Sequence, residues 1–170
     1  LITGASSGIG LELAKLLAAD GHDLVLVARS ADKLATLAED LRARYNITAR
    51  VERADLTDPA APSALFERLQ SDGVHVDVLV NNAGFGLNGV FHEMDRQRQL
   101  DMIQLNCTAL TDLTHLVLPG MVSRGSGRVL NIASTAAFQP GAWMAVYFAT
   151  KSYVLLFTEA LAKELEGTGV

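Results

Sequence analysis

Apolar and polar positions follow two rhythms that take turns along this chain. "LIT" at the start, "DLVLVA" at residues 23–28 and "VDVLVNN" at 76–82 are short apolar runs with little or no alternation. That is the pattern of strands covered on both faces. Between the first two runs, Ile9, Leu13, Leu16 and Leu17 recur at helical spacing, which predicts an amphipathic helix with these four as its apolar stripe. Gly21 follows as its stop signal. The same reading predicts a helix over 31–44, a strand at "ITARVE", and a helix over 59–71 admitted by Pro59. A longer helix runs from about 97 to 118 and closes at Pro119 and Gly120; "GRVLNIAS" is a fifth strand, and a last helix covers about 143–166.

Strand and helix thus alternate five times with short connections, which predicts an α/β fold: a doubly wound parallel sheet with helices on both faces and right-handed crossovers. The chain has no internal repeat, low-complexity segment or linker, so residues 1–170 read as a single domain. Leu1 begins inside a strand and "ELEGTGV" ends where another strand is due, which predicts a piece of a longer chain, truncated after the last helix.

Composition narrows the partners. With 49% hydrophobic and 19% charged residues the chain belongs with globular proteins and not with disordered ones. The net charge of −5 is spread over interspersed acids and bases, which leaves no basic stripe for nucleic acid and no lysine-rich amphipathic face for a membrane. No apolar run reaches the roughly 18 residues of a spanning helix. Cys107 is the one cysteine; it excludes an internal disulfide, fits a reducing, cytoplasmic setting and reads as a buried, inert thiol. The histidines at 22, 75, 92 and 115 lack metal-ligand spacing, and no Gly-x-Ser-x-Gly elbow suggests a hydrolase.

The first turn changes the picture. "TGASSGIG" at 3–10 lies between the first strand and the first helix. Gly4, Gly8 and Gly10 allow a tight turn, close approach to a ligand and close helix–strand packing, while the helix N-terminus offers free N–H groups to an anion. Ser6 and Ser7 add hydroxyls suited to phosphate oxygens. No Gly-Lys-Ser/Thr follows, so this is not a nucleoside-triphosphate loop. A dinucleotide site of this kind usually has an acid about 20 residues on, at the ribose 2′-hydroxyl. Here Ala28 stands in its place and Arg29 comes next. The cation would attract a 2′-phosphate, so the charge pattern favours NADP(H) over NAD(H); the other reading of Arg29 is a solvated arginine opening a loop.

"TGASSGIG", "ADL" at 54–56, "NNAG" at 81–84, Ser134 in "IAS" and "YFATK" at 147–151 stand in the order found in the short-chain dehydrogenase/reductase family, which the whole chain resembles. The resemblance implies a Rossmann-like, three-layer α/β/α fold. It places the cofactor on Gly4, Ser6, Ser7, Gly8, Ile9, Gly10 and Arg29, with Asp55 and Leu56 near the adenine and Asn81, Ala83 and Gly84 at the end of the fourth strand. Asn106, Ser134, Tyr147 and Lys151 would form a catalytic tetrad, with Tyr147 and Lys151 also meeting the cofactor. The family's next Pro-Gly turn and the C-terminal segment that shapes the substrate pocket fall beyond Val170. It implies, too, that the two long helices pack on a second subunit, making a homodimer or homotetramer of the full-length protein.

Tyr147 and Lys151 are four residues apart and share a helix face. An ammonium one turn away favours a phenolate, which suits a phenol that must give and take a proton near neutral pH. Ser134 could hydrogen-bond a substrate oxygen, and Asn106 could hold a water linking Lys151 to solvent. Taken singly, each also has a plainer reading: a capping serine, a buried amide satisfied by backbone, a packed tyrosine. Phe85, Leu87, Phe138, Trp143 and Met144 lie near the inferred pocket and suggest a partly apolar substrate or a packed lid. The expected activity is hydride transfer between NADP(H) and a small-molecule carbonyl or secondary alcohol. The alternative is a dinucleotide-binding regulatory module without turnover. An epimerase or dehydratase of the extended branch is disfavoured, since its glycine turn is one residue shorter.

Overall fold

The unbroken apolar run of the second strand divides its side chains between two cores. Leu24 and Leu26 enter one hydrophobic cluster with Leu34, Leu37 and Leu41, while Val25 and Val27 enter another with Leu65, Leu69 and Met121. A strand with both faces buried has no polar face to show, hence the missing alternation. The computed structural model describes residues 1–170. Its strands are β1 (Ile2–Thr3), β2 (Leu24–Ala28), β3 (Ala49–Arg53), β4 (Val78–Asn81) and β5 (Arg128–Asn131). All pair in parallel in the order β3-β2-β1-β4-β5. The chain builds outward from β1 in one direction, then crosses back to β4 on its other side. That reversal opens a crevice beyond the carboxyl ends of β1 and β4.

Helices α1 (Gly8–Ala19) and α2 (Ala31–Tyr45) cover one face. Helices α3 (Ala61–Ser71) and α5 (Leu110–Arg124) cover the other. Helix α4 (Arg96–Ile103) runs into α5 through a π-helical turn, Gln104–Ala109, against which α6 (Ala145–Glu164) packs. The expected doubly wound α/β architecture is therefore present.

Three local expectations are corrected. The buried face of α1 is Gly10, Ala14 and Ala18, whereas Ile9 and Leu16 of the predicted stripe are 59% and 62% exposed. The cause is distance: a Cβ on Gly10 would lie 2.5 Å from the Gly4 carbonyl oxygen. Where the helix comes this close to the strand ends only small residues fit beneath it, while Leu13 and Leu17 of the predicted stripe pack half-buried against the same cluster. Helix α3 starts at Ala61 with Pro62 in its first turn, and Pro59 belongs to the preceding turn, where the Ala60 N–H is taken by the Asp58 carboxylate. Finally, Pro119 does not end its helix, which continues to Arg124 and stops at Gly125, φ +63°. Pro119 and His115 both lie on the exposed side, so the carbonyl deprived of its partner faces solvent and the break is tolerated.

The inward face of α1 can be tested directly. Ala14→Leu is expected to lower unfolding free energy by about 1–3 kcal/mol through overpacking, and Leu16→Ala to change it by less than about 0.5 kcal/mol. Urea unfolding of both variants decides; a larger loss at Leu16 would restore the leucine stripe to the core.

Candidate active site

At the carboxyl ends of all five strands the loops leave a cleft of about 870 Å³, lined by residues from the turn after each strand and from α6. The glycine turn is its floor at one end. Gly4 and Gly8 have φ of +68° and +57°, in the left-handed region that glycine enters without penalty. Around Gly8 there is open space, whereas a Cβ on Gly4 would lie 2.8 Å from the Asn82 amide nitrogen. Gly8 is thus required by its backbone, Gly10 by the contact beneath it, and Gly4 by both. The Ser7 hydroxyl is not spent on capping α1, and the N–H groups of Gly8, Ile9 and Gly10 have no backbone acceptor. These unspent donors face a position suited to a phosphate. Gly4, Ser6, Ser7, Gly8 and Ile9 line the cleft; Gly10 lies under it.

At the end of β2, Ala28, Arg29 and Ser30 reach the cleft, as do Asp55 and Leu56 beyond β3. Asp55 is the one carboxylate in the lining. Burial pushes its carboxyl up, but hydrogen bonds from Thr57 and the charge of Arg29 outweigh that and hold it below the ordinary carboxylate range. Arg29 is exposed.

The end of β4 separates two asparagines that the sequence sets side by side. Asn81, expected at the cofactor, does not line the cleft. Its side chain is 4% exposed and donates to Thr114 Oγ1 and Asn131 Oδ1 at 3.0 and 2.9 Å. Successive strand residues point to opposite faces, and this one points into the sheet's packing. Asn82 does line the cleft, and it holds the glycine turn by donating to the carbonyl oxygens of Thr3 and Gly4 at 2.9 and 3.3 Å. The signal for it was the second letter of "NNAG", the residue on the far side of the strand end. Ala83 and Gly84 line the cleft.

Asn106 sits in the π-helical turn, 2% exposed. Its Oδ1 accepts the Phe85 N–H at 3.1 Å, and its Nδ2 donates to the Phe85 carbonyl and to Thr150 Oγ1, both at 3.0 Å. The amide is a two-pronged clamp on Phe85. A Cβ on Gly84 would lie 3.0 Å from Asn106 Oδ1, so the clamp also needs that glycine.

Ser134, Tyr147 and Lys151 share the other end of the cleft. Ser134 Oγ accepts the Ala136 N–H at 3.1 Å, capping a short 3-10 turn over Thr135–Phe138, while its hydroxyl proton stays free to donate. Tyr147 is held edge-on to Phe148, with centroids 6.2 Å apart, and a Cβ on Gly86 would lie 3.0 Å from its ring. Lys151, 7% exposed, donates from Nζ to the Ile132 carbonyl at 2.7 Å, and Nζ lies 6.0 Å from the Tyr147 ring centroid. Burial lowers its pKa, with the nearby Cys107 acting the other way. Burial pushes the Cys107 thiol up to about 11, opposed by Lys151, so the thiol is protonated and unreactive near neutrality. Of the five apolar residues suspected at the pocket, Phe85 and Met144 line the cleft. No group of acidic, histidine or cysteine side chains could hold a metal ion, and no helix is long and apolar enough to cross a membrane.

Comparison with known proteins agrees with this geometry. A short-chain dehydrogenase from Sphingobium yanoikuyae in complex with NADPH is 42% identical, with a TM-score of 0.93 over 99% of this chain and 65% of its own. The bulky-bulky ketone specific alcohol dehydrogenase of Comamonas testosteroni is 39% identical, with a TM-score of 0.93 over 99% of this chain and 67% of its own. A very-long-chain 3-oxoacyl-CoA reductase of Pyrenophora tritici-repentis is 38% identical over the whole of this chain, which spans 51% of that protein's length. This chain thus covers about half the length of that relative. The short chain dehydrogenase family itself matches residues 1–170. With the glycine turn, the strand order and the serine–tyrosine–lysine cleft in agreement, the chain belongs to the short-chain dehydrogenase family.

Proposed function

We propose that this chain is the nucleotide-binding and catalytic domain of an NADP(H)-dependent oxidoreductase that interconverts a carbonyl compound and a secondary alcohol. The observation that carries the reading is one continuous cleft: unspent N–H donors and Arg29 at one end, Ser134, Tyr147 and Lys151 at the other. The residues fit an extended dinucleotide. The first turn of α1 would hold the pyrophosphate, Asp55 and Leu56 the adenine side, and Lys151 the nicotinamide ribose. With Ala28 in place of an acid, Arg29 would meet a 2′-phosphate; the Sphingobium relative with NADPH bound supports that choice. The bound dinucleotide supplies or accepts the hydride.

The protein's part is the proton. The Ser134 hydroxyl donates a hydrogen bond to the substrate oxygen and stabilises charge that develops there. In the reducing direction the Tyr147 hydroxyl passes its proton to that oxygen, leaving a phenolate beside the Lys151 ammonium; oxidation reverses the transfer. Asn106 acts by fixing Phe85 and Gly84, and with them the wall that Tyr147 faces. For the full-length protein we propose a homodimer or homotetramer, because Leu100 and Ile103 on α4 and Leu156 on α6 are 41%, 41% and 65% exposed. A reducing, cytoplasmic setting suits the free Cys107.

Tyr147→Phe in the full-length protein is expected to cut NADPH-dependent ketone reduction by about 10²–10⁴-fold, with NADPH affinity, read by fluorescence titration, kept within about twofold. Unchanged reduction would leave the non-catalytic binding module as the better reading. Arg29→Ala should weaken NADPH binding by at least about tenfold, the worth of a charge-assisted hydrogen bond, and leave NADH binding nearly unaltered; equal losses for both would remove Arg29 as the selector. Light scattering should return a multiple of the full-length mass, and a monomeric value would sink the assembly.

A further inference from the structure

Ala137 has a carbonyl that its own turn cannot pair. The 3-10 turn over Thr135–Phe138 would offer that oxygen the N–H three residues on, but Pro140 stands there and has none. No other backbone N–H reaches it, and Ala137 is 9% exposed. A buried carbonyl left unpaired is costly. Its partner comes from α6, where Ser152 Oγ donates to it at 2.8 Å. The Phe148 carbonyl lies 3.1 Å from the same Oγ, but it sits inside α6, where the helix supplies an N–H of its own. A hydroxyl has one proton to give, and the carbonyl without another donor has the shorter contact.

That bond fixes more than a turn. Ser134 opens the same turn: its Oγ accepts the Ala136 N–H at 3.1 Å, and its carbonyl accepts the Ala137 N–H at 2.9 Å. The Ser134 hydroxyl therefore moves with the turn, and the turn is fastened to the helix that carries Tyr147. Thr150, Lys151 and Ser152, consecutive on α6, reach three different elements. Thr150 Oγ1 accepts from Asn106 in the π-helical turn, Lys151 donates to Ile132 just past β5, and Ser152 donates to Ala137. Consecutive helix residues are about 100° apart, so the three bonds hold α6 against rotation as well as sliding. The third is the one hydrogen bond between α6 and the 3-10 turn, and hence the polar tie between Ser134 and the helix of Tyr147.

We propose that Ser152 is a positioning residue: its hydroxyl sets the Ser134 hydroxyl at its working distance from Tyr147 without itself touching the substrate. This rests on the carbonyl-reductase reading for what Ser134 and Tyr147 do, and its first test needs no turnover. In the full-length protein, Ser152→Ala should speed amide hydrogen exchange at Ala136 and Ala137 by at least about tenfold, while Val154 on α6 changes by less than about twofold. Ser152→Thr, which keeps the hydroxyl, should restore the slow rate. Unchanged exchange, or an equal rise at all three amides, would overturn the proposal. The second test is a double-mutant cycle on NADPH-dependent reduction of cyclohexanone. Ser152→Ala should lower kcat by at least about tenfold with KM for NADPH kept within about twofold. With Ser134→Ala already present, it should lower kcat by less than about twofold. An undiminished kcat, or the same loss in both backgrounds, would also overturn the proposal, since Ser152 would then not act through Ser134. No reduction of any ketone by the unsubstituted protein, with exchange altered as expected, would count against the proposed reaction while leaving the hold of Ser152 on the turn standing.

Discussion

The cleft depends on a knot of hydrogen bonds between the ends of β1 and β4. Thr3 Oγ1 accepts the N–H groups of Asn82 and Ala83 at 3.0 Å each and donates to the Val80 carbonyl at 3.3 Å. The Asn82 amide returns to the carbonyl oxygens of Thr3 and Gly4. Backbone pairing between these strands is short, with Ile2 opposite Val80 as its register, so side chains do the joining. Each bond is worth only about 1 kcal/mol net, but a buried partner left unpaired costs about 1–3 kcal/mol. The five bonds therefore hold or fail together. Because Gly4 and Gly10 press on this knot from either side, the glycine turn is both the floor of a ligand site and a member of the core.

What the sequence revealed followed from contrast between neighbours. β2 was legible because four consecutive apolar residues leave no polar face, and Tyr147 with Lys151 because four residues is one helical turn. Ala28 followed by Arg29 was legible as a missing charge and a new one. The failures share a different cause. Half of the α1 stripe was misjudged, since Ile9 and Leu16 face outward and Leu13 and Leu17 flank a seam that Gly10, Ala14 and Ala18 fill. Pro119 read as a terminator because its exposure, which makes the break harmless, is a tertiary property. Asn81 was chosen over Asn82 because one residue changes the face of a strand. The partner of the Asn106 amide, the backbone of Phe85, was out of reach because it lies 21 residues upstream.

The site also sets function against stability. Lys151 is buried and its pKa lies below the ordinary 10.5. For a base with a lowered folded pKa, the folded chain binds the proton less tightly than the unfolded chain does. The cost of the buried ammonium is fully present below the folded pKa and fades as pH rises from there toward 10.5. Near neutrality the fold therefore carries a cation that it would be more stable without. The surroundings that fail to solvate that ammonium also fail to screen its charge.

The π-helical turn at Gln104–Ala109 gives the long helix a reading frame. Each residue advances an α-helix by about 100°, so a turn holding one extra residue offsets the faces of α4 and α5 by that angle. In this frame Met102, Asn106, Leu110, Leu113 and Val117 all face inward. Deleting one residue within 104–109 would let the turn close to ordinary α-helix while α4 and α5 kept their faces, since the residue lost is the one the wide turn absorbs. A residue inserted in α4 or α5 would instead rotate one half of the helix against the other by about 100°. Either the core would lose the apolar face of α5, or Asn106 would swing off Phe85 and release the wall of the cleft. The irregular turn is thus where the helix takes up a surplus residue, and the spacing of the chain on either side of it is under constraint.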